Sequence, residues 1–133
     1  MKYMLDTNIC IFLIKHKSET VIEHLNLYEP EDIGISIITY GELEYGVQKS
    51  SFPDRNEIAL SLFLANIQIL PLDVHAAEEY GRIRANLEKK GTPLGPNDYL
   101  IAAHALSEKC ILVTNNTKEF RRIEGLQIED WTK

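Results

Sequence analysis

Residues 2–9 read KYMLDTNI, and this stretch decides the class of fold. A continuous apolar run over residues 2–5 is ended by a polar triplet, and apolar residues then recur at Ile9, Phe12 and Leu13. An apolar run followed by the helical period predicts a buried strand that leads directly into a helix. The stretch therefore predicts the first strand and helix of a βαβ unit.

The order of strand and helix recurs along the rest of the chain. Three further apolar runs predict strands at residues 33–37, 67–70 and 111–114. Helical periods predict helices at residues 20–28, 40–49, 56–66, 76–87 and 97–108, with Gly91 as the stop after the fourth. Because the strands are apolar throughout, they indicate a parallel sheet covered on both faces. We therefore expect an α/β fold, with a central parallel sheet flanked by helices, in a single domain over residues 1–133.

The charge balance limits the partners of the protein. Its 133 residues include 14 Lys and Arg against 20 Asp and Glu, for a formal net charge of -6. This balance disfavours functions that depend on a broadly basic surface, such as coating duplex DNA or an anionic membrane. Cys10 and Cys110 stand alone in apolar surroundings, which favours a reduced, cytoplasmic setting. The N-terminal apolar stretch is too short and too interrupted for a signal peptide or a membrane span.

Acidic and amide side chains follow the predicted strands, where ligands gather in open parallel sheets. Asp6 ends the first strand, Glu42 lies one or two helical turns after the second, and Asp98 opens the Ala-rich helix before the fourth. Asn116 and Glu119 follow the fourth strand. The parallel topology is expected to bring these side chains to one end of the sheet.

Several carboxylates at one place repel each other, and a protein tolerates this mainly when cations neutralise them. Oxygen ligands suit Mg²⁺ or Mn²⁺, whereas the four histidines are scattered without the spacing of a zinc site. A carboxylate site for such a metal commonly serves phosphate chemistry. We therefore expect a metal-dependent enzyme that acts on a phosphate ester.

Each of these residues also has a purely structural interpretation. Asp6 is a suitable cap for the first helix, and Asn97 or Asp98 is a suitable cap for the Ala-rich helix. Glu42 on a helix is usually a solvated residue, and the pair Asn115-Asn116 is a turn signal in its own right. Their coincidence at one end of the sheet favours a site, since caps are needed at only two of these places.

Four motifs follow one another along the chain. They read MLDTNI at residues 4–9, SxxTxxELxxG at 36–46, GPNDxxIAAHA at 95–105 and LVTNNTxEF at 112–120. Together they resemble the PIN-domain ribonucleases of the VapC toxin type, over almost the whole chain. Any one of these motifs is a weak signal, but four in this order and at this spacing are a strong one.

The resemblance implies a toxin of a type II toxin–antitoxin pair. Such a protein is a cytosolic endoribonuclease that depends on Mg²⁺ or Mn²⁺ and is held inactive by a VapB-like antitoxin. The members with the most similar motifs look like those that cut the anticodon loop of initiator tRNA and so inhibit translation. A homodimer within the toxin–antitoxin complex is implied in the same way.

The resemblance also implies roles for single residues. Asp6, Glu42 and Asp98 match the metal-binding acids of the family, and Glu119 corresponds to an acid found before the Phe in other members. Asn116 stands where many relatives carry Asp, which leaves the occupancy of a second metal open. The polar positions that hold the acids or the water in place are matched by Thr7, Asn8 and Thr114.

The mechanism expected from these residues is metal-assisted hydrolysis. Asp6 and Asp98 are expected to hold the metal, with Glu42 either binding it or orienting the water that attacks a phosphodiester in line. By resemblance, the products carry a 5′-phosphate and a 3′-hydroxyl. Recognition of a folded RNA loop needs less basic surface than binding of duplex DNA. The candidates for phosphate contacts are Lys15, Lys17, Lys49, Arg82, Arg84, Lys118, Arg121 and Arg122.

Other functions fit the residues less well. An aspartyl-phosphate phosphatase typically needs a second Asp two residues after the first, where this chain has Asn8. A receiver-like module needs paired acids near the first strand, and the glycine-rich spacings of nucleotide-binding folds are absent. The alternative that stays open is a non-catalytic acidic interaction module that receives a basic partner segment, which differs from the nuclease in that it does not cleave RNA.

Overall fold

Five short strands form one parallel sheet at the centre of the molecule, which a computed structural model describes from Met1 to Lys133. The strands are β1 (Tyr3–Leu5), β2 (Ile33–Ser36), β3 (Gln68–Leu70), β4 (Ile111–Val113) and β5 (Ile128–Glu129). β1 and β2 are buried along their whole length, as expected for apolar strands between two layers of helices. The predicted α/β fold with a central parallel sheet is confirmed.

Helices cover both faces of this sheet. They are α1 (Thr7–Ile14), α2 (Glu19–Leu25), α3 (Ile37–Gln48), α4 (Pro53–Leu64), α5 (Val74–Lys89), α6 (Pro96–Ser107) and α7 (Thr117–Phe120). A short 3-10 helix, Pro30–Asp32, leads into β2. None of the helices combines the length and the apolar character that a membrane span requires.

The order of the strands places the start of the chain at the middle of the sheet. The spatial order is β3-β2-β1-β4-β5, and β1 pairs in parallel with both β2 and β4. Leu5, the last residue of β1, is paired with Val113, the last residue of β4. The strand order reverses between these two strands, and such a reversal opens a crevice at the carboxyl ends of the strands. Asp6 and Thr114 are the first residues beyond the two strands, so they lie at this crevice.

The two faces of the sheet carry separate cores because successive strand residues point to opposite sides. Tyr3 and Leu5 belong to one core, which includes Trp131 and the buried residues of α1 and α3. Met4 belongs to the other core, which contains Ile83 and Leu87 of α5 and the buried apolar residues of α6. Residues 101–105 of α6 are all buried, and four of the five are Ile or Ala, whose side chains allow close packing. Cys10 and Cys110 are buried and free, one in each core.

The structure corrects three predicted boundaries and adds two elements. Ile37 was expected to end a strand, but it begins α3, because the Ser36 hydroxyl accepts a hydrogen bond from the backbone N–H of Ile38 at 3.1 Å. This cap starts the helix three residues before Tyr40. The helices predicted at residues 20–28 and 56–66 are displaced by a few residues relative to α2 and α4. α7 and β5 were not predicted, since four and two residues are too few to show a period.

The stop of the long helix was predicted correctly. α5 ends at Lys89 with Lys90 as its cap, and Gly91 follows with φ of +71°. This left-handed conformation is one that glycine adopts without steric cost.

Trp131→Ala should destabilise the fold by about 3–5 kcal/mol, the usual loss for removing a buried aromatic side chain. The Trp131 ring is fully buried, packs against Tyr3, Tyr28 and His24, and donates its indole N–H to Glu129 at 2.9 Å. The measurement is urea unfolding followed by far-ultraviolet circular dichroism, because Trp131 is the only tryptophan.

The control for this change is Leu62→Ala, which alters a side chain that is 73% exposed. It should shift the free energy of unfolding by no more than about 0.5 kcal/mol. Equal losses in the two variants would contradict the placement of the C-terminus in the core.

Candidate active site

Asp6 lies at the junction of β1 and α1 and has both a structural and an electrostatic role. Its Oδ1 accepts a hydrogen bond from the backbone N–H of Ile9 at 3.0 Å, so it caps α1 as predicted. The Thr114 side chain, at the end of β4, donates a second hydrogen bond. The residue is only 6% exposed. Asp6 therefore ties the first helix to both central strands.

Burial is the main reason that the pKa of Asp6 rises from 3.8 to about 6. The two hydrogen bonds from Thr114 and Ile9 oppose this rise, and the negative charges of Asp98 and Glu42 add to it. When neighbouring acids disfavour the charged form of a carboxyl group, a cation placed among them stabilises that charged form. The three acids predicted from the sequence therefore interact across three separate elements.

Asp98 lies in the first turn of α6 and is half-buried. Burial raises the pKa of Asp98, and the nearby charges of Glu42 and Glu119 raise it further. The expectation that Asn97 or Asp98 caps this helix is wrong, since the cap position is occupied by Gly95. The Asp98 side chain is thus not used as a cap.

Glu42 is held by hydrogen bonds from both sides. The Thr7 hydroxyl donates to Oε1 at 2.5 Å, and the Asn97 amide donates to Oε2 at 3.2 Å. Thr7 also lies 3.3 Å from the hydroxyl of Thr39, which is fully buried in α3. The Glu42 carboxylate on α3 is therefore held in place by Thr7 of α1 and by Asn97 at the start of α6.

Glu119 is held in a similar way at the other side of the crevice. The Asn116 amide donates to Glu119 Oε2 at 2.9 Å, and the Asn116 backbone N–H donates to the Thr114 hydroxyl at 2.9 Å. The Thr114 hydroxyl thus contacts both Asp6 and the backbone of Asn116, the residue that holds Glu119. Asn8, the remaining predicted polar residue, is exposed and makes no side-chain hydrogen bond.

Cations do not compensate the charge of these acids within the chain. The ion pairs of the protein are three, and all of them lie within α5: His75–Glu78, Arg82–Glu79 and Arg84–Glu88. No three of the Asp and Glu side chains lie close enough together to form a complete set of metal ligands by themselves. An oxygen-only donor set with unpaired negative charge fits Mg²⁺ or Mn²⁺, since Mg²⁺ usually keeps several waters and takes few protein ligands.

Two buried polar residues below the acids were not assigned a role from the sequence. The His104 Nδ1 lies 2.7 Å from the Ser36 hydroxyl, and both side chains are fully buried. This contact joins α6, which carries Asp98, to the cap of α3, which carries Glu42. The available signal was a histidine inside the apolar run of α6 together with a strand that ends in serine.

The predicted phosphate-binding cations fall into three groups. Arg82 and Arg84 are engaged in ion pairs along α5, and Arg84 also donates to the Tyr80 hydroxyl at 2.6 Å. The exposed residues without an ion pair include Lys15, Lys17, Lys49, Lys118 and Arg121. Arg122 is half-buried and donates to the Pro93 carbonyl at 3.3 Å, beside the loop before α6.

The sequence over residues 3–126 matches the PIN domain family. The chain belongs to the PIN domain family. It is 48% identical over 132 residues to the tRNA(fMet)-specific endonuclease VapC of Shigella flexneri, with 99% of each chain covered. It superposes on DNA-bound VapBC from Salmonella typhimurium with a TM-score of 0.93, at 49% identity and 98% coverage of each chain. For VapBC2 from Rickettsia felis, bound to a DNA fragment from their promoter, the TM-score is 0.92 at 42% identity, covering 98% of this chain and 99% of that one.

The family confirms the resemblance found in the sequence motifs. PIN domains are nucleases, and PIN-domain ribonucleases generally depend on divalent metal ions. The donor set around Asp6, which consists only of oxygen atoms, agrees with that chemistry. The acids of a PIN domain thus account for the unpaired negative charge at the crevice.

Asp6→Asn should raise the free energy of unfolding in metal-free buffer above about pH 6, by up to roughly 3 kcal/mol. Because the folded protein holds the Asp6 proton more tightly than the unfolded chain, the parent protein loses stability as the pH rises from about 4 to about 6. Asn carries no charge and still offers Oδ1 to Ile9, so the variant avoids this loss. The measurement is urea unfolding of both proteins across this window, with EDTA present.

The difference in the free energy of unfolding between Asp6→Asn and the parent should shrink towards zero below about pH 4, where the Asp6 carboxyl group is protonated in both the folded and the unfolded parent. Glu23→Gln, an exposed acid on α2, serves as the control and should show no such trend. A difference between Asp6→Asn and the parent that does not vary with pH would contradict the buried, charge-strained state of Asp6.

Proposed function

We propose that this protein is the toxin of a VapBC-type toxin–antitoxin pair and acts as an endoribonuclease that requires Mg²⁺ or Mn²⁺. The observation that carries the proposal is the convergence of Asp6, Asp98 and Glu42 at the carboxyl ends of the strands, where the Asn97 amide beside Asp98 donates to Glu42 and the Thr7 hydroxyl beside Asp6 donates to it as well. These acids come from three elements and are supported by neutral donors rather than by Lys or Arg. Such an arrangement is stable when a divalent cation supplies the missing charge.

Asp6 and Asp98 are the residues that would hold the cation, with Glu42 as a further ligand or as the group that orients water. A divalent cation at such a site neutralises the acids, lowers the pKa of bound water and stabilises negative charge on the phosphate. The chain itself fixes the positions of the acids. Thr114 and the start of α1 hold Asp6, whereas Thr7 and Asn97 hold Glu42.

Glu119 completes the acidic crevice from the side of β4. Its charge lies close enough to Asp98 to raise the pKa of that residue, and the Asn116 amide fixes its carboxylate. Asn116 is neutral, so it leaves the site with less negative charge to hold a second cation than an Asp at this position would. We infer that Glu119 acts on the water or the leaving group and that Asn116 positions it.

RNA is the substrate that best fits these features. The relative from Shigella flexneri is a tRNA(fMet)-specific endonuclease, and the identity of 48% extends over nearly the whole chain. The anticodon loop of initiator tRNA is therefore our candidate target, with hydrolysis leaving a 5′-phosphate and a 3′-hydroxyl. An unpaired loop exposes its bases and phosphates, and it can be held by few cations. Cleavage there would inhibit translation.

A VapB-like antitoxin is the expected partner, in keeping with the VapBC complexes that share this fold. Its inhibitory segment would place Arg or Lys among the acids, where a fixed cation replaces the divalent ion. We further propose a single domain over residues 1–133, a homodimer within the complex and a cytoplasmic location. The two free cysteines agree with a reducing compartment.

The purified protein should cut initiator tRNA with Mg²⁺ or Mn²⁺ present and should stop when EDTA is added. Asp98→Asn should lower the cleavage rate by roughly a hundredfold or more, because it removes a ligand and a charge from the site. Gel analysis of end-labelled tRNA measures the rate, and circular dichroism confirms that the variant is folded. Glu23→Gln, which removes a distant exposed charge, is the matched control and should cleave like the parent.

Cleavage that continues in EDTA, or an Asp98→Asn variant with the activity of the parent, would refute the catalytic assignment. A folded parent that binds a basic antitoxin segment but cuts no RNA would favour the non-catalytic interaction module instead.

A further inference from the structure

A groove of about 1040 Å³ lies between α1, α3 and α4 and begins at the candidate active site. Thr7, Glu42 and Asn97, which form the hydrogen-bonded support of the site, line one end of it. The groove then passes along α3 towards Ser50 and the start of α4. Its size is at the top of the range of about 300–1,000 Å³ for small-molecule pockets, so it has room for more than one small group.

The charge of the groove is opposite to that of the whole protein. Three cations line it, namely Lys15, Lys49 and Arg55. None of them forms an ion pair with an acid of the chain. Glu42 is the single acidic residue among the lining side chains, and it belongs to the metal site. An anionic occupant that runs from the acids along α3 would therefore meet three free cations.

Aromatic rings accompany two of these cations. The Tyr45 ring is 65% exposed, and the Lys49 ammonium lies 4.8 Å from its centre. The Phe52 ring is 61% exposed, and the Arg55 guanidinium lies 5.2 Å from its centre. Tyr45 lines the groove, whereas Phe52 lies next to Arg55 without lining it. Exposed rings beside unpaired cations are the combination that binds unpaired nucleic acid through base stacking and phosphate contacts.

We infer that this groove binds the unpaired RNA strand that adjoins the scissile phosphate, with Lys15, Lys49 and Arg55 on phosphates and Tyr45 stacked on a base. The inference rests on the proposed ribonuclease function and assigns the strand a path that leads out of the acidic crevice. The acidity of the rest of the chain disfavours duplex nucleic acid, which needs a broad basic face.

The experiment measures binding separately from cleavage. The full chain carrying Asp98→Asn is mixed with fluorescein-labelled oligouridylate in EDTA, and the dissociation constant is measured by fluorescence anisotropy over a range of salt concentrations. In this background Lys49→Gln and Arg55→Gln are introduced together. The slope of log K against log salt should fall by about 1.4, which corresponds to about 0.7 for each lost phosphate contact with a single strand.

The matched control changes two exposed lysines outside the groove. Lys89→Gln with Lys90→Gln removes the same charge from the end of α5 and should leave the slope unchanged. Tyr45→Ala should weaken binding by about 5- to 150-fold, the usual effect of losing one stacked base. Tyr45→Phe keeps the ring and should bind like Tyr45, which separates stacking from a loss of folding.

Several outcomes would overturn the inference. One is a slope that falls equally in the groove and control pairs, since binding would then depend only on net charge. Another is a duplex RNA that loses as much affinity as the single strand when Tyr45 is changed to Ala. A third is a pair of groove variants that bind RNA normally but no longer bind the antitoxin, which would make the groove a protein-docking site.

Cleavage of tRNA by the otherwise unchanged protein distinguishes this inference from the proposed function. If the parent cuts tRNA with Mn²⁺ but the groove variants bind and cut RNA like the parent, the groove assignment fails alone. If the parent neither binds nor cuts RNA, both fail.

Discussion

The acidic site is organised around one buried carboxylate, that of Asp6, which lies where the central strand meets the first helix. The residue is almost wholly buried, and its pKa is raised to about 6 even though two hydrogen bonds favour its charged form. A protein that needed only a helix cap could use an uncharged Ser or Asn there. A charged side chain at this place, among other acids, fits the dependence of PIN-domain ribonucleases on divalent metal ions. The central parallel sheet, the reversal of strand order beside β1 and the polar supports all serve to bring that group of acids together.

The support of the acids is shared between elements rather than local. Thr7, at the start of α1, donates to Glu42 on α3, and Thr114, at the end of β4, donates to Asp6. Below them, the buried pair of His104 and Ser36 joins α6 to the cap of α3. The bonds from Thr7 and Thr114 each fix one carboxylate relative to a neighbouring element, and the His104–Ser36 contact fixes the helices that carry Asp98 and Glu42. The geometry of the site therefore depends on the packing of the whole sheet.

The sequence predicted the fold class and the meeting of acidic side chains at one end of the sheet because both depend on simple local patterns. Apolar runs that end in Asp6 or Ser36 are read directly, and parallel topology then brings their ends together. The boundaries of α3 and the absence of a cap role for Asp98 were not predictable, since both depend on side-chain hydrogen bonds and on the turn at Gly95. The groove was also not predictable. It requires α4 to pack beside α1 and α3, a contact between helices that no single motif encodes.

The overall acidity of the chain takes on a different meaning once the charges are placed. The net charge of -6 is a sum that hides local differences. The crevice is acidic, the groove is lined by three cations without ion pairs, and the arginines of α5 are paired with glutamates. The net negative charge of the chain therefore repels polyanions in general, whereas the groove lined by Lys15, Lys49 and Arg55 attracts them locally. Such a distribution suits selective recognition of an RNA loop better than tight binding of any nucleic acid.

The most direct test of this account is a Mn²⁺ titration of the protein without RNA, in which electron paramagnetic resonance measures the free ion. The parent should bind Mn²⁺, and Asp6→Asn and Asp98→Asn should each weaken binding by roughly tenfold or more, since either change removes a carboxylate from the shared site. Glu23→Gln should leave the affinity unchanged. A parent that binds no Mn²⁺, or two aspartate variants that bind it as well as the parent, would contradict the claim that a cation holds these acids together.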